Sequence, residues 1–311
     1  FVMDRVMTKL GLHGKAFIPL LSSFACAIPG IMATRTIESK RDRLVTMMVA
    51  PLMSCSARLP VYALLIAACI PSVTIWGWFN LQGIVLWGLY LSGVVIAIIV
   101  AFILKKTILT STPLPFLIEL PPYRMPQLGS LLKKTWERSK LFLSNAGSII
   151  FALSILLWFL TSYPKPQVVE QNLPPASEIE VSYNETGPLE NSFAGKMGKA
   201  IEPVIKPLGF DWKIGIGLIA SFAAREVFVS TMAIVYKLGE DVDESSPSLI
   251  QAIRNDAYKD GGKVFSPLVA LSLLIFYVIA CQCMATVAVV KRETNSWRWP
   301  IFMVTYMTLL A

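Results

Sequence analysis

The sequence predicts an all-α fold: a polytopic membrane helix bundle with two inverted repeats and broken or re-entrant helices. Three observations predict it. The chain is apolar and poor in charge. Its apolar runs have the length of membrane spans and are separated by loops of contrasting charge. One segment recurs 198 residues further on, and prolines and glycines interrupt the apolar pattern beside it.

Of 311 residues, 55% are hydrophobic and only 15% are charged, with a mean hydropathy of +0.61. A soluble domain is about one quarter charged. The shortage of charge excludes a disordered chain, a collagen-like fibre and an ordinary nucleic-acid binder. The net charge of +8 comes from 28 basic and 20 acidic residues. In so apolar a chain this excess belongs to loops facing anionic lipid. Five cysteines are an odd number, without the spacing of a disulfide scaffold. The chain opens on Phe1 and closes on Leu309-Leu310-Ala311 inside an apolar run, so it reads as a fragment of a longer protein.

A membrane helix needs about 20 apolar residues. Leu44–Cys69 qualifies, with Arg58, Pro51 and Pro60 inside it; so do Leu81–Leu104, Leu141–Leu160 with polar Asn145, and Phe265–Val290 with Cys281 and Cys283. Ile214–Tyr236 carries Arg225 and Glu226 at its centre, and a last run starts near Trp299. Lys15–Ala33 is broken by Pro19, Pro29 and Gly30 and suits a discontinuous helix. Residues 34–43 and 105–140 are basic, whereas 70–80 carry no charge and 161–213 hold seven acids. Short basic loops stay cytoplasmic, which places 34–43 and 105–140 inside and 70–80 and 161–213 outside. The basic loop of Lys291, Arg292 and Arg298 lands outside if Ile214–Tyr236 crosses, and inside if that segment is re-entrant. The sequence leaves both open.

Leu10–Ala25 aligns without gaps on Leu208–Ala223, with eight of sixteen residues identical, among them Lys15/Lys213, Ser23/Ser221, Phe24/Phe222 and Ala25/Ala223. A weaker echo relates Cys55-Ser56-Ala57 to Cys283-Met284-Ala285. Three spans between the copies invert one relative to the other. Inverted repeats with broken helices mark many transporters, whose sites lie where the helices break.

Residues near the breaks are therefore the candidates. Cys26 lies three residues before Pro29, Cys55 four after Pro51, and Cys283 in Gln282-Cys283-Met284. Thiols beside freed backbone carbonyls suit a soft or borderline cation, and Met53 and Met284 could add thioether sulfur. Buried cysteine also serves simply as core, and Cys69 and Cys281 are read that way. Ser23, Phe24, Pro29 and Ser221 belong to the repeated segments. An acid at the centre of an apolar span, as Glu226 is, is costly and functional by default. Asn145 either lines the path or bonds a neighbouring helix. Buried Arg58 pairs with an acid or snorkels. The single histidine, His13, excludes an imidazole metal cluster. No H-E-x-x-H or G-x-S-x-G motif is present, and Gly11-Leu12-His13-Gly14-Lys15 lacks phosphate-loop spacing. No catalytic residue is assigned.

Residues 24–37 (FACAIPGIMATRTI) and 50–60 (APLMSCSARLP) resemble the first gate region of the ferrous iron transport protein B family. Ala224-Arg225-Glu226-Val227 resembles its second gate, and Cys283-Met284-Ala285-Thr286 with residues 291–299 (KRETNSWRW) resembles its C-terminal motif. One departure is Ala25, where the family often has Gly. The resemblance implies a multi-pass importer of Fe²⁺ in the bacterial inner membrane, with Cys26, Cys55 and Cys283 touching the metal. It divides the chain into 1–140, the first gate repeat and following membrane helices, and 141–311, the second gate repeat and truncated C-terminal helices, with 161–213 a periplasmic loop. It further implies an N-terminal GTPase domain, through which alone GTP and Mg²⁺ would act, small cytoplasmic Feo partner proteins, membrane lipid and a homo-oligomer, but no nucleic acid. Two other readings stand beside it. A nucleoside-type permease would use the same gates, and a membrane anchor or sensor for a regulatory GTPase would carry no flux.

Overall fold

The computed structural model describes residues 5, 7, 12–75, 79–107, 127–144, 151–152, 155, 193–223, 225–236, 243–257 and 264–311. Asn145, Ala224, most of Leu141–Leu160 and residues 161–192 fall outside these. The described chain is helical apart from a short antiparallel pair, β1 (Thr74–Ile75) and β2 (Phe79–Asn80).

The helices, in order, are α1 (Phe17–Ser23), α2 (Ala27–Ala33), α3 (Lys40–Val49), α4 (Leu59–Cys69), α5 (Leu81–Thr107) and α6 (Leu128–Phe142). They continue as α7 (Phe193–Ile205), α8 (Trp212–Ala223), α9 (Val227–Val235), α10 (Pro247–Asn255), α11 (Pro267–Ile279), α12 (Met284–Thr294) and α13 (Arg298–Leu310). Among the described residues, three stretches are long and apolar enough to cross a membrane: Lys40–Cys69, Leu81–Thr107 and Pro267–Thr294. Only α5 does so as one unbroken helix. Its uncharged body ends in Lys105 and Lys106, which complement the negative end of the helix dipole. Lys40–Cys69 is interrupted between α3 and α4, and Pro267–Thr294 between α11 and α12.

The Lys15–Ala33 segment breaks elsewhere than Pro29 and Gly30 suggest. Helix α1 ends at Ser23, and α2 begins after Cys26, which is extended (φ −157°, ψ 136°). Pro29 is the third residue of α2, inside the first turn. The N–H it lacks has no intrahelical partner there, so proline is tolerated. Cys55, four residues after Pro51, lies outside any helix. Ala50–Leu52 is a single 3₁₀ turn, and the chain is extended at Met53 before a second 3₁₀ turn, Ser56–Arg58.

Both copies of the repeat fold back as helical hairpins. A Cβ on Gly30 would lie 2.0 Å from Ser23 Oγ and 2.8 Å from the Pro19 carbonyl oxygen. A straight helix would separate residues 19 and 30 by about 16 Å, so α2 lies alongside α1. In the second copy a Cβ on Gly217 would lie 2.6 Å from the Phe228 ring and from Met232 Cε. Pro19 and Gly30 align with Gly217 and Phe228 at the same 198-residue offset. The same pair of positions touches in both hairpins, with the small residue on opposite helices. Ser23 and Ser221, both fully buried, each donate to the carbonyl four residues back, at 2.9 and 2.7 Å. Lys15 and Lys213 each hold an acid, Glu38 at 2.7 Å and Asp256 at 2.8 Å. Ile214–Tyr236 therefore folds back on itself as a hairpin rather than running on as one straight helix.

The chain forms two compact units: Phe1–Ser56, Tyr90–Leu153 and Ile279–Leu310 make the first, and Ala57–Leu89, Ser154–Val278 and Ala311 the second. Within the first, α2 of its hairpin packs on α12, and α12 packs on α13. Tyr306 of α13 donates to the Met48 carbonyl of α3 at 2.6 Å. Within the second, α9 of its hairpin and α10 pack on α4. Arg254 of α10 caps the end of α4 through the Ala67 and Ala68 carbonyls, at 2.9 and 3.1 Å. Each unit thus joins one hairpin to the C-terminal half of the broken span that follows the other hairpin.

Gly30→Ala is expected to lower the melting temperature of the detergent-solubilised protein, with an overpacking cost of about 1–3 kcal/mol. Adding Ser23→Ala should recover only part of the loss, because the Pro19 carbonyl still crowds the new methyl. An unchanged melting temperature in Gly30→Ala would show that α1 and α2 are not held this close.

Candidate functional site

In the first unit, three chain interruptions each carry a cysteine. Cys26 is the N-cap of α2, and Cys283, also extended (φ −148°, ψ 102°), is the N-cap of α12. Cys55 sits in the irregular turn between α3 and α4. All three are half-buried, and none is in a disulfide.

A chain break inside a bilayer survives only if its backbone groups find partners or line a cavity. At the first hairpin the partner is Ser56. Its N–H donates to the Phe24 carbonyl at 3.1 Å, and its hydroxyl donates to the Ala25 carbonyl at 2.9 Å. These bonds bring the strand of chain before Cys26 against the residue after Cys55. The packing of α2 on α12 brings the Cys26 and Cys283 half-helices together. Sequence reasoning did not single out Ser56. The Cys55-Ser56-Ala57 echo was the one signal that pointed to its neighbourhood.

The remaining candidates divide. Ser23 is wholly buried and bonds within α1; Ser221 bonds within α8 and to Tyr277 Oη at 2.6 Å. Phe24 and Met53 line an apolar cavity with Leu12, Phe17, Leu20 and Val49, rather than a polar one. Met284, the first residue of α12, is exposed. Pro29 is exposed on α2. In the second unit, Glu226 precedes α9 at the tip of the hairpin and is exposed, while its neighbour Arg225 is buried. An exposed carboxylate at the tip of a hairpin suits a wet cavity. Arg58 is fully buried, Cys281 is buried and Cys69 is half-buried. Among the described residues no three or more His, Cys, Asp or Glu side chains are arranged to hold a metal ion together.

Ion pairs fix one face of the first unit. Glu293, near the end of α12, has a side chain only 3% exposed. Its carboxylate accepts from Arg35 Nε at 2.9 Å, from Arg35 Nη2, and from Arg43 Nη2 at 2.6 Å. Bonding to Glu293 holds the Arg35 guanidinium more firmly protonated than usual. Asp42 of α3 faces Lys105 of α5 at 3.9 Å. At the outer edge the Lys15 ammonium holds the Glu38 carboxyl below the ordinary carboxylate range. Glu38 is 79% exposed, so that pair adds little stability. The clamp places the 34–43 loop and the Lys291–Arg298 loop on the same face.

Discontinuous helices, paired hairpins and thiols at the breaks define a helical membrane protein of the gate class. The family model "Nucleoside recognition" (Gate) matches residues 1–69 and 143–297. The model "Ferrous iron transport protein B C terminus" matches residues 86–138. The chain belongs to the ferrous iron transport protein B family and corresponds to part of its membrane portion. It is 51% identical over 312 residues to the Fe(2+) transporter FeoB of Leptospira interrogans, with 100% of this chain and 43% of the relative covered. It is 39% identical to the Fe(2+) transporter FeoB of Methanocaldococcus jannaschii, with 100% of this chain and 42% of the relative covered. It is 42% identical to the Fe(2+) transport protein A/Fe(2+) transporter FeoB fusion protein of Porphyromonas gingivalis, with 100% and 38% covered. The chain thus spans less than half the length of these relatives. No solved structure matches it significantly.

With a membrane-impermeant maleimide, Glu38→Cys and Arg292→Cys are expected to label from the same side, after lysis and not in intact cells. Labelling of the two from opposite sides would refute the shared face.

Proposed function

We propose that this chain forms the membrane pathway of a ferrous iron importer in the bacterial inner membrane. The observation that carries this reading is the grouping of Cys26, Cys55 and Cys283, each at a chain interruption, within one compact unit. In the chain's own chemistry, thiols supply soft donors, and backbone carbonyls at the breaks supply hard ones. Fe²⁺ is a borderline cation served by both, whereas Mg²⁺ and Ca²⁺ prefer all-oxygen sites. The ion enters from the periplasm, sheds water, and passes the thiols before reaching the face of the basic loops. Glu226, at the tip of the second hairpin, is assigned to ion transport as a carboxylate, and Asn145 as a carboxamide. The two gate copies lie within 1–140 and 141–311, and the acid-rich 161–213 segment is periplasmic.

A GTPase domain outside this chain would bias the gates through the basic loops, and GTP and Mg²⁺ belong to that domain. A small Feo protein is a natural cytoplasmic partner. The fusion named for the Porphyromonas gingivalis relative supports that pairing. Assembly into a homo-oligomer within the lipid belongs to the same reading. A nucleoside-type permease is the second reading, favoured by the description of the Gate model. The cysteines at the breaks and the names of the relatives favour iron.

Anaerobic Fe²⁺ uptake by the full-length protein, in cells lacking other iron importers, tests the reading. Cys26→Ser, Cys55→Ser and Cys283→Ser, at matched membrane expression and GTPase activity, are expected to cut the uptake rate by about tenfold or more, as loss of ligand or supporting groups does at metal sites. Glu226→Gln is expected to slow uptake to a smaller extent. Full uptake in all three cysteine variants would remove the thiols from the path. A wild type that moves no iron would bring the permease and anchor readings forward.

A further inference from the structure

We propose that Glu293 is a positioning residue for the cysteine pathway. It clamps the C-terminal ends of α2 and α12 and so sets the spacing of the two thiols at their N-terminal ends. This rests on the reading of Cys26 and Cys283 as lining the ion path.

The geometry is that of two short helices with matched ends. Cys26 caps the start of α2, and Arg35 follows its end; Cys283 caps the start of α12, and Glu293 lies in its last turn. Nine residues separate Cys26 from Arg35 and ten separate Cys283 from Glu293. The first stretch runs through α2 into the 3₁₀ turn Thr34–Thr36, the second through α12. The two helices pack side by side and are pinned at their ends by Arg35–Glu293. Near-equal spacings from one pinned end tie the position of each thiol to the other helix.

Glu293 is an unfavourable choice for a helix C-terminus, where the dipole disfavours a negative charge. A carboxylate this buried must also be paired. Both costs are met by two arginines from the first gate: Arg35 beyond α2 and Arg43 on α3, the latter at 2.6 Å. The acid on α12 therefore reads the position of two elements of the other repeat at once. Any motion that separates α2 from α12 must first break the clamp, and the spacing of Cys26 and Cys283 changes with it.

The test uses the full-length protein in native membranes, with Cys26 and Cys283 as its only cysteines and a protease site inserted within residues 161–192. A short bis-maleimide that links the two thiols holds the two fragments together after cleavage. Glu293→Gln is expected to lower the linked fraction by about tenfold, because removing one partner of a buried ion pair strongly favours separation. Arg35→Gln with Arg43→Gln is expected to lower it to the same extent, and Glu293→Asp to keep most of it. Retention by the shorter acid is something a merely space-filling role would not give, because Gln matches Glu in volume better than Asp does. An unchanged linked fraction in Glu293→Gln would overturn the proposal, as would a loss in Glu293→Asp as large as that in Glu293→Gln. If Glu293→Gln does not accumulate, the double arginine variant and Glu293→Asp decide between the same outcomes. Fe²⁺ uptake is measured in parallel on the cysteine-intact proteins. No uptake by wild type, with linkage still dependent on the clamp, would sink the iron reading and leave Glu293 as a positioning residue. Uptake and linkage both unaffected by Glu293→Gln would do the reverse.

Discussion

Backbone hydrogen bonding in an apolar medium is the constraint on which the rest of this structure depends. A helix satisfies its own amides, so a break exposes N–H and C=O groups that lipid cannot serve. The protein breaks the chain at Phe24–Cys26 and answers two of the freed carbonyls with one residue, Ser56, through its amide and its hydroxyl. Two interruptions thus satisfy each other. That bond pattern is also what draws the Cys26 and Cys55 segments together, so the solution to a folding problem is the same object as the candidate ion path.

The hairpins show how little sequence identity a repeat needs once its geometry is set. Close approach of two helices needs a small residue at the crossing. The first copy places it at Gly30, against Pro19, and the second at Gly217, against Phe228. The burden moves from one helix to the other, while the buried serine and its bond to the carbonyl four residues back stay in place. The halves of the two broken spans then divide between units, α12 joining the first hairpin and α4 the second. Each compact unit therefore contains sequence from both repeats.

The ion pairs of the first unit lie near helix ends, where they set alignment rather than bulk stability. Most exposed ion pairs contribute less than about 1 kcal/mol. The Glu293 carboxylate differs because it is buried and shared by two arginines, so losing either partner leaves a buried charge less well paired. Its position at the ends of α2 and α12 makes it a long lever on the thiols near their starts.

Composition and span length determined the helical membrane class, because a charge-poor chain with 20-residue apolar runs has few other stable states. The repeat and the cysteines beside Pro and Gly were legible too, since both are local patterns. The location of the first break was not. Pro29 and Gly30 announce a discontinuity, but proline is at ease in the first turn of α2, and the break falls where Ser56, 30 residues from Cys26, can reach the freed carbonyls. Whether Ile214–Tyr236 crosses or turns back was likewise beyond the sequence, because an apolar run reads the same either way; the contact of Gly217 with Phe228 and Met232 decided it. The clamp of Arg35 and Arg43 on Glu293 joins residues about 250 apart. Such a pairing exists only once the half-helices of different repeats have packed, so only the tertiary structure could place both basic loops on one face and the Cys26 and Cys283 caps in one unit.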